Sequence, residues 1–91
     1  MPLYTFYLDY KGGTYISQVR ARTHILAVKI WAEKLEWKEV KGMGPKVKDE
    51  LIWRLESDSP VSVKGIEKTW CSIAYVRGAL AMIHFTETVD S

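Results

Sequence analysis

Between Tyr4 and Tyr10 the chain sets Tyr4, Phe6, Leu8 and Tyr10 at alternate positions, and Gly12-Gly13 follows at once. A period of two is the mark of a strand, and a glycine pair supplies the positive backbone torsions of a tight hairpin turn. Residues 3–21 therefore read as a β-hairpin. A two-residue turn at Gly12-Gly13 sets Tyr10 opposite Tyr15, Leu8 opposite Ser17, Phe6 opposite Val19 and Tyr4 opposite Ala21. That face is apolar. The other carries Thr5, Tyr7, Asp9, Ile16, Gln18 and Arg20, so the hairpin has one dry face and one wet face, as an antiparallel ribbon on a core should.

Thr23 is a candidate N-cap for a helix over 24–38. Ala27, Val28, Trp31, Ala32 and Leu35 fall on one side of it, and Leu26, Ile30 and Trp37 form a second, narrower stripe. Gly42, Gly44 and Pro45 mark a loop. Residues 46–57 fit a helix with Pro45 at its start and Val47, Leu51, Ile52 and Leu55 in one stripe, and also fit a strand in which Leu51, Trp53 and Leu55 alternate. The helix is preferred, because charged residues fill the remaining positions at helical spacing. Asp58-Ser59-Pro60 stops it.

Residues 69–76 and 79–87 read as a second hairpin around Arg77-Gly78. Trp70, Ala74 and Val76 then share a face with Ala81, Ile83 and Phe85, while Cys71, Ile73 and Tyr75 share the other with Leu80, Met82 and His84. Both faces are apolar, which fits central strands or a sheet covered on its second side. The expected architecture is α+β: a four-stranded antiparallel sheet from two hairpins with two helices on one face, in the order β-β-α-α-β-β, as a single domain over residues 1–91. The opening hairpin with the helix after it resembles the start of HicB-type antitoxins, on the Gly-Gly turn and the alternating strand. Both are general hairpin features, and no membership follows from them.

Charge selects no partner. Thirteen basic and eleven acidic residues leave a net charge of +2, where a dedicated nucleic-acid binder is usually more basic. Cys71 is the one cysteine, which excludes an intramolecular disulfide, and no basic leader or long apolar run opens the chain. The expectation is a reduced, cytoplasmic setting.

Chemistry is sparse. The register of the second hairpin puts Cys71 directly opposite His84, and a cysteine beside a histidine can become a thiolate nucleophile. The plainer reading, a small buried cysteine beside a space-filling histidine, is preferred, since no Asn or Asp is placed to orient the ring and the neighbours are Ile73, Tyr75 and Met82. His24, Cys71 and His84 show no spacing that binds metal, and no cofactor is expected. Lys41-Gly42-Met43-Gly44-Pro45-Lys46 lacks the Gly-Lys-Ser/Thr ending of a phosphate loop and reads as a connector. No carboxylate pair is spaced for acid–base work.

Three functions are ranked from this. First is a non-enzymatic protein-interaction module that self-associates, with Leu26, Ile30, Trp37 and Trp53 as the candidate partner surface; its partner is a protein or a second copy, with no membrane involved. Second is a nucleic-acid-binding domain that uses the wet hairpin face and the lysine-rich loop, with Tyr7, Gln18, Arg20, Arg22, Lys41, Lys46 and Lys48. Third is a small enzyme built on Cys71 and His84.

Overall fold

The computed structural model describes residues 1–89. Strands β1 (Leu3–Tyr10) and β2 (Gly13–Arg20) form the opening hairpin; α1 spans His24–Lys34, a 3-10 turn covers Trp37–Glu39, α2 runs over Pro45–Ser57, and β3 (Val61–Ser62), β4 (Thr69–Val76) and β5 (Ala79–Thr88) follow. The strands build one antiparallel sheet in the order β2-β1-β5-β4-β3, with the two hairpins joined through β1 and β5. The α+β class and the antiparallel sheet hold. The expected four strands become five, because β3 pairs Val61 with Cys71 and Ser62 with Trp70. A two-residue strand straight after Pro60 has no readable alternation. Among the described residues no helix is long and apolar enough to cross a membrane.

The first hairpin turns one residue earlier than its glycine pair implies. Lys11 and Gly12 occupy the turn with φ of 47° and 81°, and Gly13 opens β2 opposite Tyr10. The pairs become Leu8–Tyr15, Phe6–Ser17 and Tyr4–Val19, a slip of two residues from the expected register. An even slip leaves every side chain on its expected face. The turn that matches strand twist needs positive φ at both central residues, and here Lys11 takes the first of them, the place that Asn, Asp or Gly usually fills. Arg77-Gly78 uses the same device, with φ of 51° and 78°. Gly13 serves instead as bare backbone under an aromatic ring: a Cβ there would lie 2.6 Å from the Tyr15 hydroxyl. That hydroxyl accepts from the Lys41 amide at 3.0 Å and ties the loop after α1 to the turn end of the sheet.

Both helices pack on one face of the sheet. The Thr23 hydroxyl caps α1 by accepting from the Leu26 amide at 3.2 Å. From α1, Ala27, Val28, Trp31 and Ala32 are buried. Trp31 stacks on Phe6 at 5.2 Å between centroids, and Phe6 stacks on Phe85 at 4.5 Å, so one aromatic column links the helix to both central strands. The Trp31 indole N–H donates to the Ser17 hydroxyl at 3.0 Å. From α2, Leu51 and Leu55 are buried, and Val47 and Ile52 pack beside them. The helical reading of 46–57 is therefore right, with Pro45 in its first turn.

The expected helix over 24–38 ends early, at Lys34. Leu35 turns extended, with ψ of 122°, and the chain drops through the 3-10 turn to bury Val40 and Met43 under the sheet's turn end. The burial of those side chains, far from the stripe along α1, decides the break. Trp37 therefore sits outside α1, and the expected stripe of Leu26, Ile30 and Trp37 along a single helix does not exist.

Candidate interaction surfaces

Among the described residues, no further element packs on the side of the sheet away from the helices. Strand alternation places Tyr4, Phe6, Leu8 and Tyr10 under the helices and sends Leu3, Thr5, Tyr7 and Asp9 to the open side. The registers of β2, β4 and β5 extend this into rows across the sheet. One row reads Ile16, Tyr7, His84, Cys71, Val61 and the next Thr14, Asp9, Met82, Ile73; Leu80 and Tyr75 pair beyond them. Ile16 is 63% exposed, Ile73 54% and Tyr75 63%, values that belong to a surface although the residue types belong to a core. Leaving a large apolar side chain wet forgoes about 1.5–3 kcal/mol.

The open face divides into halves. Toward the turns it is apolar across β4, β5 and the Tyr7–Ile16 pair, with Asp9 and Thr14 at its β1–β2 corner. Toward the chain ends it is hydroxyl-rich: Gln18 Nε2 donates to Thr5 Oγ1 at 3.0 Å, Thr5 Oγ1 contacts Thr88 Oγ1, and Thr69 Oγ1 donates to Thr86 Oγ1 at 3.1 Å. Among the described strand residues on this face, the formal charges are Asp9 and Arg20 alone.

Cys71 and His84 are direct cross-strand partners, as expected, but on the open face rather than in the core. Each is partly exposed. The His84 ring has no hydrogen-bond partner among the described residues, so nothing there orients it as a base. No group of three metal-capable side chains occurs among the described residues. His24, the other histidine, lies flat on Trp70 with centroids 4.5 Å apart, inside an aromatic cluster that includes Tyr4 and Phe85.

The four residues expected to form a partner surface are dispersed. Ile30 and Trp37 pack partly buried against the core. Leu26 is exposed and borders a groove of about 270 Å³ between α1 and the end of α2, with Ile25, Ile52 and Pro60 among its walls. Trp53 is 60% exposed on the outer side of α2, under the Arg54 guanidinium.

Of the residues expected to contact nucleic acid, Tyr7, Gln18 and Arg20 share the open face, and Arg20 donates to the Met1 carbonyl. Arg22 follows the far end of β2. The lysines lie at the other end: Lys41 joins Tyr15 beside the first turn, Lys46 begins α2, and Lys48 donates to the Glu33 carbonyl at 2.8 Å. Seven steps along β2 from Gly13 to Arg20, at about 3.3 Å each, set Arg20 and Arg22 roughly 20 Å from the turn end where Lys41 lies, while Tyr7 and Gln18 stand mid-strand between them.

The sequence reading passed over Ile73, Tyr75, Leu80 and Met82 as site residues. Their signal was present in the second hairpin, which is apolar on both faces when only one face can meet the helices. Compared with protein-family models, curated proteins and solved structures, the chain matches none.

Proposed function

We propose that the chain is a non-enzymatic protein-interaction module that associates with itself, and that the apolar half of the open sheet face is its docking surface. The observation that carries this is the pairing of Ile16, Tyr7, His84 and Cys71 in one row, with Met82, Ile73, Leu80 and Tyr75 adjoining, on a face that no helix covers. Patches of this kind on a small domain mark interaction sites. Aromatic side chains such as Tyr7 and Tyr75 supply large contact areas with few torsions to freeze, as interface anchors do.

Light scattering over a wide concentration range tests the reading. The expected result is a mass that rises with concentration, and a Tyr75→Asp/Ile73→Asp variant that folds and loses this rise. Both side chains are more than half exposed, so the substitutions bury no charge in the monomer. A wild-type chain that stays monomeric throughout overturns the reading.

A further inference from the structure

We infer that the free edge of β2 and the cleft beside it bind an extended peptide segment of another protein, taken up as an added antiparallel strand, with an apolar side chain in the cleft and a lysine or arginine two residues after it. This goes beyond the proposed function: it uses a different surface and does not require the chain to associate with itself.

The two edges of the sheet are unequal. One is β3, two residues long; the other is β2, eight residues long, without proline and in unbroken register with β1 from Arg20 to Gly13. Folds usually blunt a long edge with proline, a bulge, a central charge or a covering segment. Residues 13–19 of β2 carry no formal charge. In a two-residue hairpin the residues flanking the turn bond to each other, and bonded pairs alternate from there. Gly13, Tyr15, Ser17 and Val19 therefore bond to β1, and the Ala21 amide continues the alternation by donating to the Pro2 carbonyl at 3.2 Å. Thr14, Ile16 and Gln18 turn their amides and carbonyls to the free edge, where no described residue meets them.

A cleft of about 470 Å³ runs along this edge. Every residue of β2 from Thr14 to Val19 lines it, and the opposite wall is the end of α1 and the segment after it, with Trp31, Leu35 and Val40. An added strand places the side chain opposite Ser17 on the helix side of the sheet, because directly paired residues share a face. Ser17 is small and exposed, and its hydroxyl accepts from the Trp31 indole N–H at 3.0 Å, so the space in front of Trp31 and Leu35 is left for the incoming side chain. Pairing of this kind is a recurrent mode of peptide recognition: the main-chain bonds supply affinity, and the pockets for alternate side chains supply selectivity.

Charge selects the next cleft-facing residue of the peptide. Glu36 and Glu39 line the same wall, are exposed, and have no ion pair or side-chain hydrogen bond among the described residues. Against these two acids the cleft lining holds a single base, Lys34, among the described residues, and the C-terminal end of α1 adds partial negative charge. Glu39 stands two residues before Lys41, whose amide donates to the Tyr15 hydroxyl at 3.0 Å, so the acids lie toward the Tyr15 end of the cleft. In an antiparallel strand the residue opposite Tyr15 comes two after the residue opposite Ser17 and points to the same side. A lysine or arginine there meets the two carboxylates. A second β2 fits less well: the residues it would turn to the cleft are Tyr15, Ser17 and Val19, none of them basic.

The test uses the full chain and an array of synthetic peptides Ser-Val-Thr-X-Thr-Z-Ser, with X and Z each varied over all the amino acids. Binding should select large aliphatic or aromatic residues at X and lysine or arginine at Z. In Glu36→Lys/Glu39→Lys the selection at Z should turn to aspartate or glutamate, while that at X stays. With leucine at X and lysine at Z, N-methylating the threonine after X, whose amide meets the Ile16 carbonyl, should weaken binding about tenfold. N-methylating X, whose amide points away from β2, should cost far less. No selection at X or at Z, a selection at Z that survives the charge reversal, or equal losses from the two N-methylations each overturn the inference. Peptide selection by a chain whose mass stays monomeric supports this inference and overturns only the proposed self-association; a concentration-dependent mass lost in Tyr75→Asp/Ile73→Asp, with no peptide selected, does the reverse. A mass that still rises in Tyr75→Asp/Ile73→Asp, with no peptide selected, gives the edge to a second copy and overturns both.

Discussion

Cys71 on β4 stands directly opposite His84 on β5, and their side chains share the uncovered face with Tyr7. The thiol is thus a built-in reporter of that face. In dilute solution Cys71 should react with a thiol reagent without unfolding, since it is partly exposed. As concentration rises and the face is covered, labelling should slow, and Tyr75→Asp/Ile73→Asp should cancel the protection. Labelling at one rate across all concentrations counts against the open-face surface.

Exposure separates two residues that the sequence placed on one partner surface. Trp53 is 60% exposed, so Trp53→Ala should shift monomer stability by less than about 0.5 kcal/mol, the usual range for surface changes. Ile30 packs against the core, and Ile30→Asp should cost about 2–4 kcal/mol by setting a charge against apolar neighbours. Urea denaturation of both variants in dilute solution checks the contrast.

Two buried hydroxyls, those of Tyr10 and Ser72, have no hydrogen-bond partner among the described residues. A buried polar group left unsatisfied costs about 1–3 kcal/mol. Tyr10→Phe and Ser72→Ala should therefore be neutral or stabilising, by up to about 1 kcal/mol each, visible as a higher denaturation midpoint with an unchanged slope. A loss of stability in either would mean that its hydroxyl finds a partner in solution.

Burial of Tyr4, and then the nearby Glu87 carboxylate, push the phenol above its ordinary pKa of 10.0. Below that pH the folded and unfolded chains are both neutral at this group, and it costs nothing. Above it the unfolded phenol ionises first, so stability falls as pH rises toward the folded pKa. Tyr4→Phe should lose less stability than wild type between neutral and strongly alkaline pH. Parallel curves for the two proteins would show that Tyr4 does not drive the loss.

Local periodicity and turn chemistry were enough to place the second hairpin, whose observed pairing of Cys71 with His84 and Ala74 with Ala81 follows from Arg77-Gly78 and a two-residue turn. They also placed α2, where Pro45 and a stripe from Val47 to Leu55 agree. They settled which side of β1 is buried, because Tyr4, Phe6, Leu8 and Tyr10 keep their face under any even slip. The first turn was less determined: Lys11-Gly12 and Gly12-Gly13 satisfy the same torsional need, and the seating of the Tyr15 ring over Gly13 chose between them. The early end of α1 was likewise beyond local signals, since no glycine or proline stands near Lys34. It follows from the burial of Val40 and Met43, a demand set by residues distant in sequence.

The chain's own pattern determined that strand β5 is apolar on both faces, but a pattern of side chains does not say how many layers will cover them. That number depends on where the helices land, and Trp31 and Leu51 bring both of them to the same side. The open face and the free edge of β2 therefore exist through tertiary arrangement alone. A sheet has two faces and two edges, and two short helices and a two-residue β3 are too few elements to close them all.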